Sequence, residues 1–281
     1  LSNSIAEAIE AHGGRMVYDT RVDRILVKGG AVEGVILSGG ETLPAKAVVS
    51  NASALTTFND MIPNETVPAD YLIKLKGYKP SIASFIVWLG LNRDITENIK
   101  AFSTFVSSGQ NPDEEYESHL KGEIEKGSFG VAVYDKIFKG YSNAGTSTLQ
   151  LIFLSGYEPW RKFEMDYKAG NKTAYQQEKA RWTDILIRRA EKELIPGLSS
   201  MIAVKEAATP LTNWRYTGNS EGAIYGFEQS MDNAYMNRIE NRTPIGGLYL
   251  ASAWGNPGGG YAGVFRGGEN AFRAMMEDWG S

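Results

Sequence analysis

The chain has 281 residues, of which 42% are hydrophobic and 22% charged, with a formal net charge of −4. That is the balance of a globular protein with chain enough for one large or two ordinary cores, and it gives no electrostatic footing for nucleic-acid binding. The absence of cysteine excludes disulfides, thiolate catalysis and Cys-ligated metals, while His12 and His119 stand too far apart in sequence to support a histidine metal site or triad.

No apolar run approaches the ~18–20 residues of a membrane-spanning helix; the longest, 82–91, is strand-length. The chain opens at Leu1, in what reads as the middle of a helix, so we expect a piece of a longer protein. Leu1, Ile5, Ala8 and Ile9 make one apolar helical face, which Gly13-Gly14 closes. Arg15 to Asp19 reads as a strand. Val22 to Lys28 alternates, turns at Gly29-Gly30 and returns as Val32 to Leu37, the pattern of a hairpin with a two-residue turn. Gly39-Gly40 turns the chain again, and Ala47 to Ser50 is a short buried strand. Taken alone, this stretch is an ordinary β-meander with no ligand.

A helical turn near Leu55 to Met61 is followed by breaks at Pro63 and Pro68. Strands are predicted at Ser84 to Leu91, Phe102 to Ser107, Phe129 to Phe138 and Thr148 to Leu154, with Trp160 on a loop. The charged stretch 109–128 reads as exposed loop and helix. From Thr173 to Leu194, Ala174, Trp182, Ile185, Leu186, Ala190 and Leu194 share one face of a long helix that Pro196-Gly197 stops. Residues 208–226 read as a strand, an aromatic-rich loop and a glycine-bounded short strand. Leu248 to Ala251 reads as a buried strand, and Phe265, Gly268, Phe272, Met275 and Trp279 as the apolar face of a last helix.

Between that strand and that helix, Gly255-Asn-Pro-Gly-Gly-Gly260 has two open readings. It is either a flexible turn or a surface of bare backbone N–H groups at a helix start, suited to a flat or anionic ligand. Glu221, Glu228, Arg215 and Tyr216 are acid–base candidates by residue type, but each is better read as structural or surface, so no catalytic residue is assigned.

Residues 248–264, Leu-Tyr-Leu-Ala-Ser-Ala-Trp-Gly-Asn-Pro-Gly-Gly-Gly-Tyr-Ala-Gly-Val, resemble the C-terminal flavin-binding segment of the phytoene desaturase-like family, a branch of the FAD-dependent amine oxidase superfamily. Ala208-Thr-Pro-Leu-Thr212, Trp214 to Gly218 and Glu221 to Gly226 resemble a second run of that family. Residues 1–57 are similar to its helix, Gly-Gly, strand, meander and "Ala-x-x-Val-Val" succession. The resemblance covers nearly the whole chain, most closely at 206–226 and 246–272 and most loosely over 92–200.

The resemblance implies an α+β chain: an incomplete FAD-binding layer of the two-dinucleotide-fold type from residues 1–57 and 241–281, and a mixed-sheet substrate domain with helices from 58–240. It implies FAD contacts at the backbone of Val22 and at Trp254, Gly255, Pro257, Gly258, Gly259, Gly260, Ala262, Gly263 and Val264, and a substrate pocket including Trp214, Tyr216 and Tyr225, with no metal. The family's Gly-x-Gly-x-x-Gly fingerprint is absent here, so the resemblance places it upstream of Leu1 and predicts that the isolated chain is inactive and retains little FAD. Ala253 stands where amine oxidases carry an acid, a departure toward the desaturase branch.

The implied activity is oxidation at CH–CH bonds of an apolar isoprenoid-like substrate. The alternatives are a flavin-dependent polyene isomerase, an amine oxidase-like enzyme, or a non-catalytic fragment that binds apolar ligands. The expected partner is a small apolar molecule, not a nucleic acid. A cytoplasmic or peripheral-membrane location and self-association through exposed apolar surface are both left open.

Overall fold

The computed structural model describes residues 1–234 and 237–280. In chain order it places α1 (Ser2–Ala11), β1 (Val22–Lys28), β2 (Ala31–Leu37), β3 (Thr42–Pro44), β4 (Val48–Ser50), α2 (Ala54–Asn59) and α3 (Ala69–Gly77). Next come β5 (Ala83–Leu91), β6 (Ser103–Val106), α4 (Pro112–Lys121), β7 (Phe129–Ala132) and β8 (Ser147–Ser155). Then follow α5 (Glu158–Arg161), α6 (Glu164–Lys168), α7 (Thr173–Glu193), α8 (Leu198–Met201), β9 (Ile202–Ala208) and α9 (Pro210–Thr217). The chain closes with β10 (Leu248–Leu250) and α10 (Tyr261–Trp279). The α+β class holds.

The predicted hairpin forms, with Lys28 opposite Ala31. Gly29 and Gly30 take φ of +59° and +80°, the left-handed pair that a two-residue turn needs between right-twisted strands. β3 extends it to an antiparallel sheet of three strands. Arg15 to Asp19 is not a strand. Among the described residues it has no neighbour to pair with, and Val17 and Tyr18 stay exposed.

Two cores organise the rest. The first joins Ile25 and Val32 of the hairpin to Phe58, Leu75, Ala223, Phe227, Ile239, Leu248, Leu250 and Trp254. The segments just after residue 57 and just before 241 therefore pack with the hairpin and the last strand. The second core lies between α7 and the sheet β6-β7-β8-β5-β9. In β5 and β8 every second residue is buried, Phe85, Val87 and Leu89 against Leu149, Leu151 and Phe153. Trp182, Leu186 and Ala190 of α7 cover that face.

The same alternation turns Ile86, Trp88, Ile152 and Val204 to the other face, where Trp88 and Val204 are exposed. This sheet is antiparallel throughout, not mixed. The helices α5 to α8 carry the chain from β8 to β9, which run the same way, but β5 lies between them. No parallel pair is made.

Three other expectations change. Residues 210–217 are a helix, not a loop. Thr209 caps it by accepting from the N–H groups of Leu211 and Thr212, while the Thr212 hydroxyl takes the N–H of Thr209. The pattern Thr-Pro-Leu-Thr is that capping box with proline at the first turn, a signal the aromatic content obscured. Trp160 sits in α5, wholly buried at 4.8 Å from the Trp182 ring, with its Nε1 donating to Ser155 Oγ. The face of α10 also differs. Gly267 and Ala271 are its buried residues, because only small side chains let the helix lie close on β10, and Phe265, Phe272, Met276 and Trp279 point outward. No helix of the described residues is long and apolar enough to cross a membrane.

Candidate cofactor and substrate site at the carboxyl edge of the parallel strands

β4 and β10 form a parallel pair, with Leu248, Tyr249 and Leu250 opposite Val48, Val49 and Ser50. Both strands therefore end at the same edge, where the loops 51–53 and 251–260 leave the sheet and α2 and α10 begin. In parallel sheets the carboxyl edge is where ligands bind, because helix N-termini and loop amides converge there. In the first of these loops Ser53 adds a buried Oγ that has no hydrogen-bond partner among the described residues.

The second loop is clamped from below. Gly226 has φ +74°, and a Cβ there would lie 2.3 Å from the Ala253 carbonyl oxygen. A Cβ on Gly259 would come within 2.6 Å of the Tyr225 Cα and Cβ, one on Gly258 within 2.8 Å of Gln229 Nε2, and one on Gly263 within 2.5 Å of the Gly258 carbonyl oxygen. Those glycines are bare because the chain's own segments 225–229 and 256–258 press on them. Gly260 differs: it has φ +85° with no heavy atom within 4 Å of where a Cβ would stand.

The loop thus has an inner and an outer edge. Gly258 is buried and Gly255 packs beside Asn241, whereas Pro257, Gly260, Tyr261 and Ala262 are exposed. At the outer edge α10 starts without a side-chain cap and without an acidic residue in its first turn. That leaves its first N–H groups and the positive end of its dipole unneutralised by side chains. The peptide Asn256–Pro257 is cis.

The site residues read from the sequence separate on these grounds. Pro257, Gly260 and Ala262 lie on the open edge, and Gly263 and Val264 in the first turn behind it. Trp254 is buried, edge-on to Phe227 at 4.8 Å, with its Nε1 3.3 Å from Asn219 Oδ1. Val22 stands at the end of the hairpin opposite Gly29-Gly30, whereas it is Ala31, beside that turn, that bridges to Gly246. Of the aromatic trio, Tyr225 alone meets the loop. Trp214 packs on Tyr167 and under the Lys168 ammonium, and Tyr216 is exposed at the end of α9.

Against the loop lies a cavity of about 510 Å³ lined by Ser81, Ile82, Tyr116, Tyr225, Phe227, Glu228, Gln229 and Gly259. Tyr116, from α4, donates to Glu228 Oε1 at 3.1 Å, and both line the cavity. Burial and the neighbouring carboxylate push the Tyr116 phenol up to about 12, so it stays a neutral donor at neutral pH. A second, apolar cavity of about 230 Å³ opens on the free face of the sheet between Trp88, Tyr134, Tyr141 and Val204.

Sequence reasoning missed Tyr116 and Ser81, which only the fold brings to the loop. It also missed Arg238, whose side chain reaches the carbonyls of the loop from beneath. His119 is a core residue: its Nδ1 is 2.8 Å from the Leu154 carbonyl oxygen and its ring packs on Phe153.

No family model matches the chain. It is 26% identical over its whole length to prolycopene isomerase of Daucus carota, of which it covers 43%. It is 22% identical over 99% of its length to a lycopene-forming phytoene desaturase of Pseudescherichia vulneris, covering 54% of that protein. It thus spans about half the length of the curated relatives it matches. Among solved structures, an oxidoreductase from Methanosarcina mazei superposes with a TM-score of 0.58 at 14% identity over 98% of this chain and 53% of that one. A putrescine oxidase redesigned for cofactor binding superposes at 0.61 and 12% identity, over 97% of this chain and 51% of its own. The architecture is therefore shared with those two proteins.

Proposed function

We propose, from the premise that the chain is a phytoene desaturase-like relative within the FAD-dependent amine oxidase superfamily, that the protein carrying it is an FAD-dependent oxidoreductase acting on CH–CH bonds of an apolar, isoprenoid-like substrate. The observation that carries the reading is the pairing of an uncapped helix start and an exposed glycine edge with a cavity on the same loop.

The residues fit the cofactor. Pro257, Gly260, Tyr261 and Ala262 offer an open edge with no side chain over Gly260, and α10 presents donors and a positive dipole end to an anionic or carbonyl-bearing ring. FAD, when bound, supplies the acceptor for hydride from an allylic C–H. The chain's part is to hold the substrate dry and aligned. Phe227, Tyr225 and Ile82 give the cavity apolar walls, and the hydrogen-bonded Tyr116 and Glu228 complete its lining. The apolar free face of the sheet, with Trp88 and Val204 exposed, suits a long polyene better than a polar amine. On this reading residues 1–57 and 241–281 serve the cofactor and residues 58–240 the substrate.

Geometric isomerisation of a polyene is the second reading, favoured by the carrot relative's name. The test is expression of the full-length protein, its absorbance spectrum, and product analysis after anaerobic incubation with acyclic carotenes. Flavin bands with new double bonds support desaturation, and flavin bands with isomers alone support the second reading. Protein that stays colourless after FAD is added sinks both.

A further inference from the structure

Arg238 is 1% exposed and, among the described residues, its guanidinium donates only to backbone carbonyls: Nε to Gly255 at 2.8 Å, one terminal nitrogen to Ala253 at 2.6 Å, and longer contacts of 3.4 Å to Phe227 and Asn233. Among the described residues no carboxylate pairs with it. Burying a lone cation costs several kcal/mol, and carbonyl dipoles offset only part of that. Burial accordingly holds its pKa below the usual arginine range, from which an arginine still remains protonated at neutral pH. A neutral amide or an apolar side chain would fill this space without that cost, so the charge itself needs a reason.

The geometry supplies one. The guanidinium carbon lies 3.0 Å from where a Cβ on Gly258 would stand, directly beneath the loop whose outer edge is exposed. By drawing the carbonyls of Ala253 and Gly255 inward, the fork fixes the peptide planes of the loop and leaves its outer edge to face solvent. Resting on the flavoenzyme reading above, we propose that Arg238 is a positioning residue for the cofactor. It fixes the loop's shape, and its unpaired charge raises the flavin's midpoint potential by favouring a negative ring over the loop.

The experiment uses the full-length protein with FAD as probe. Arg238→Gln and Arg238→Lys are compared with Trp160→Phe, a variant in the remote core that reports lost stability alone. Expected for Arg238→Gln is at least a 10-fold rise in the FAD dissociation constant and a midpoint potential, measured at FAD saturation, more negative than wild type. Arg238→Lys, which keeps the charge but loses the fork, weakens FAD while its potential stays near wild type. Trp160→Phe lowers the thermal midpoint and moves neither flavin quantity. Should Arg238→Gln fail to fold, Arg238→Lys decides: a potential lowered with affinity untouched, or neither changed, overturns the inference. Wild-type protein that binds no FAD overturns the flavoenzyme reading and this inference with it, whereas wild-type FAD binding with unaltered variants overturns this inference alone.

Discussion

Gly226 tests the interlock between the loop and segment 223–229. In Gly226→Ala the new methyl would sit 2.3 Å from the Ala253 carbonyl oxygen and 2.8 Å from the Trp254 nitrogen, both backbone atoms that cannot rotate away. The residue also holds φ +74°, which costs an L-residue about 1–2 kcal/mol. Overpacking of a close contact adds about 1–3 kcal/mol, so the expected loss is about 2–5 kcal/mol. At about 2–4 °C per kcal/mol for a chain of this size, the melting midpoint falls by roughly 4–20 °C.

Gly260→Ala meets open space, but its backbone at φ +85° and ψ 155° lies in a region essentially reserved for glycine, so its loss is confined to a conformational cost of about 1–3 kcal/mol. The assay is a paired urea and thermal unfolding series. Equal losses in the two variants, or a Gly226→Ala loss under about 0.5 kcal/mol, would refute the claim that the inner edge is bare for the chain's own packing. In the full-length protein Gly260→Ala should weaken FAD more than its small stability cost explains.

Three further outcomes are expected. Thr209→Ala removes the acceptor for two helix-start N–H groups of α9 and should cost about 0.5–2 kcal/mol by urea titration; a loss near zero would mean the capping box contributes nothing. Tyr249 donates to Asp278 at 2.7 Å and its phenol is raised to about 12, first by burial. Its stabilising share is therefore intact below the ordinary tyrosine value of about 10 and is lost as pH rises toward 12. Tyr249→Phe should flatten the fall in melting temperature across that window, and an unchanged slope would contradict it. Phe272→Glu on the outward face of α10 should reduce self-association of the chain in light scattering at high concentration; unchanged mass would rule that face out as the contact.

Local rules made the hairpin, the long helix α7 and the strand–glycine loop–helix order legible. Gly29-Gly30 dictates its turn, and apolar positions at helical spacing dictate α7, where Trp182, Leu186 and Ala190 are buried as expected but Ala174 is exposed and Tyr175 is buried beside it. Periodicity failed where contacts across the fold decide. Arg15 to Asp19 lacks a partner, and Phe265, Phe272 and Trp279 mark the outward side of α10 because a helix lying close on β10 admits only Gly267 and Ala271. At the site, the glycine loop could be read in advance, but which of its glycines face the chain and which face open space could not.

The sequence by itself determined this protein's α+β class, its glycine loop between the last strand and helix, and its resemblance to the phytoene desaturase-like flavoenzymes. These depend on neighbouring residues and spacing. The tertiary structure alone decided that β4 and β10 end side by side, that Tyr116 reaches Glu228, and that Arg238 lies beneath Gly258 with no carboxylate partner among the described residues. Each of these joins segments distant along the chain, and burial and backbone pairing select such contacts only once the two cores have closed.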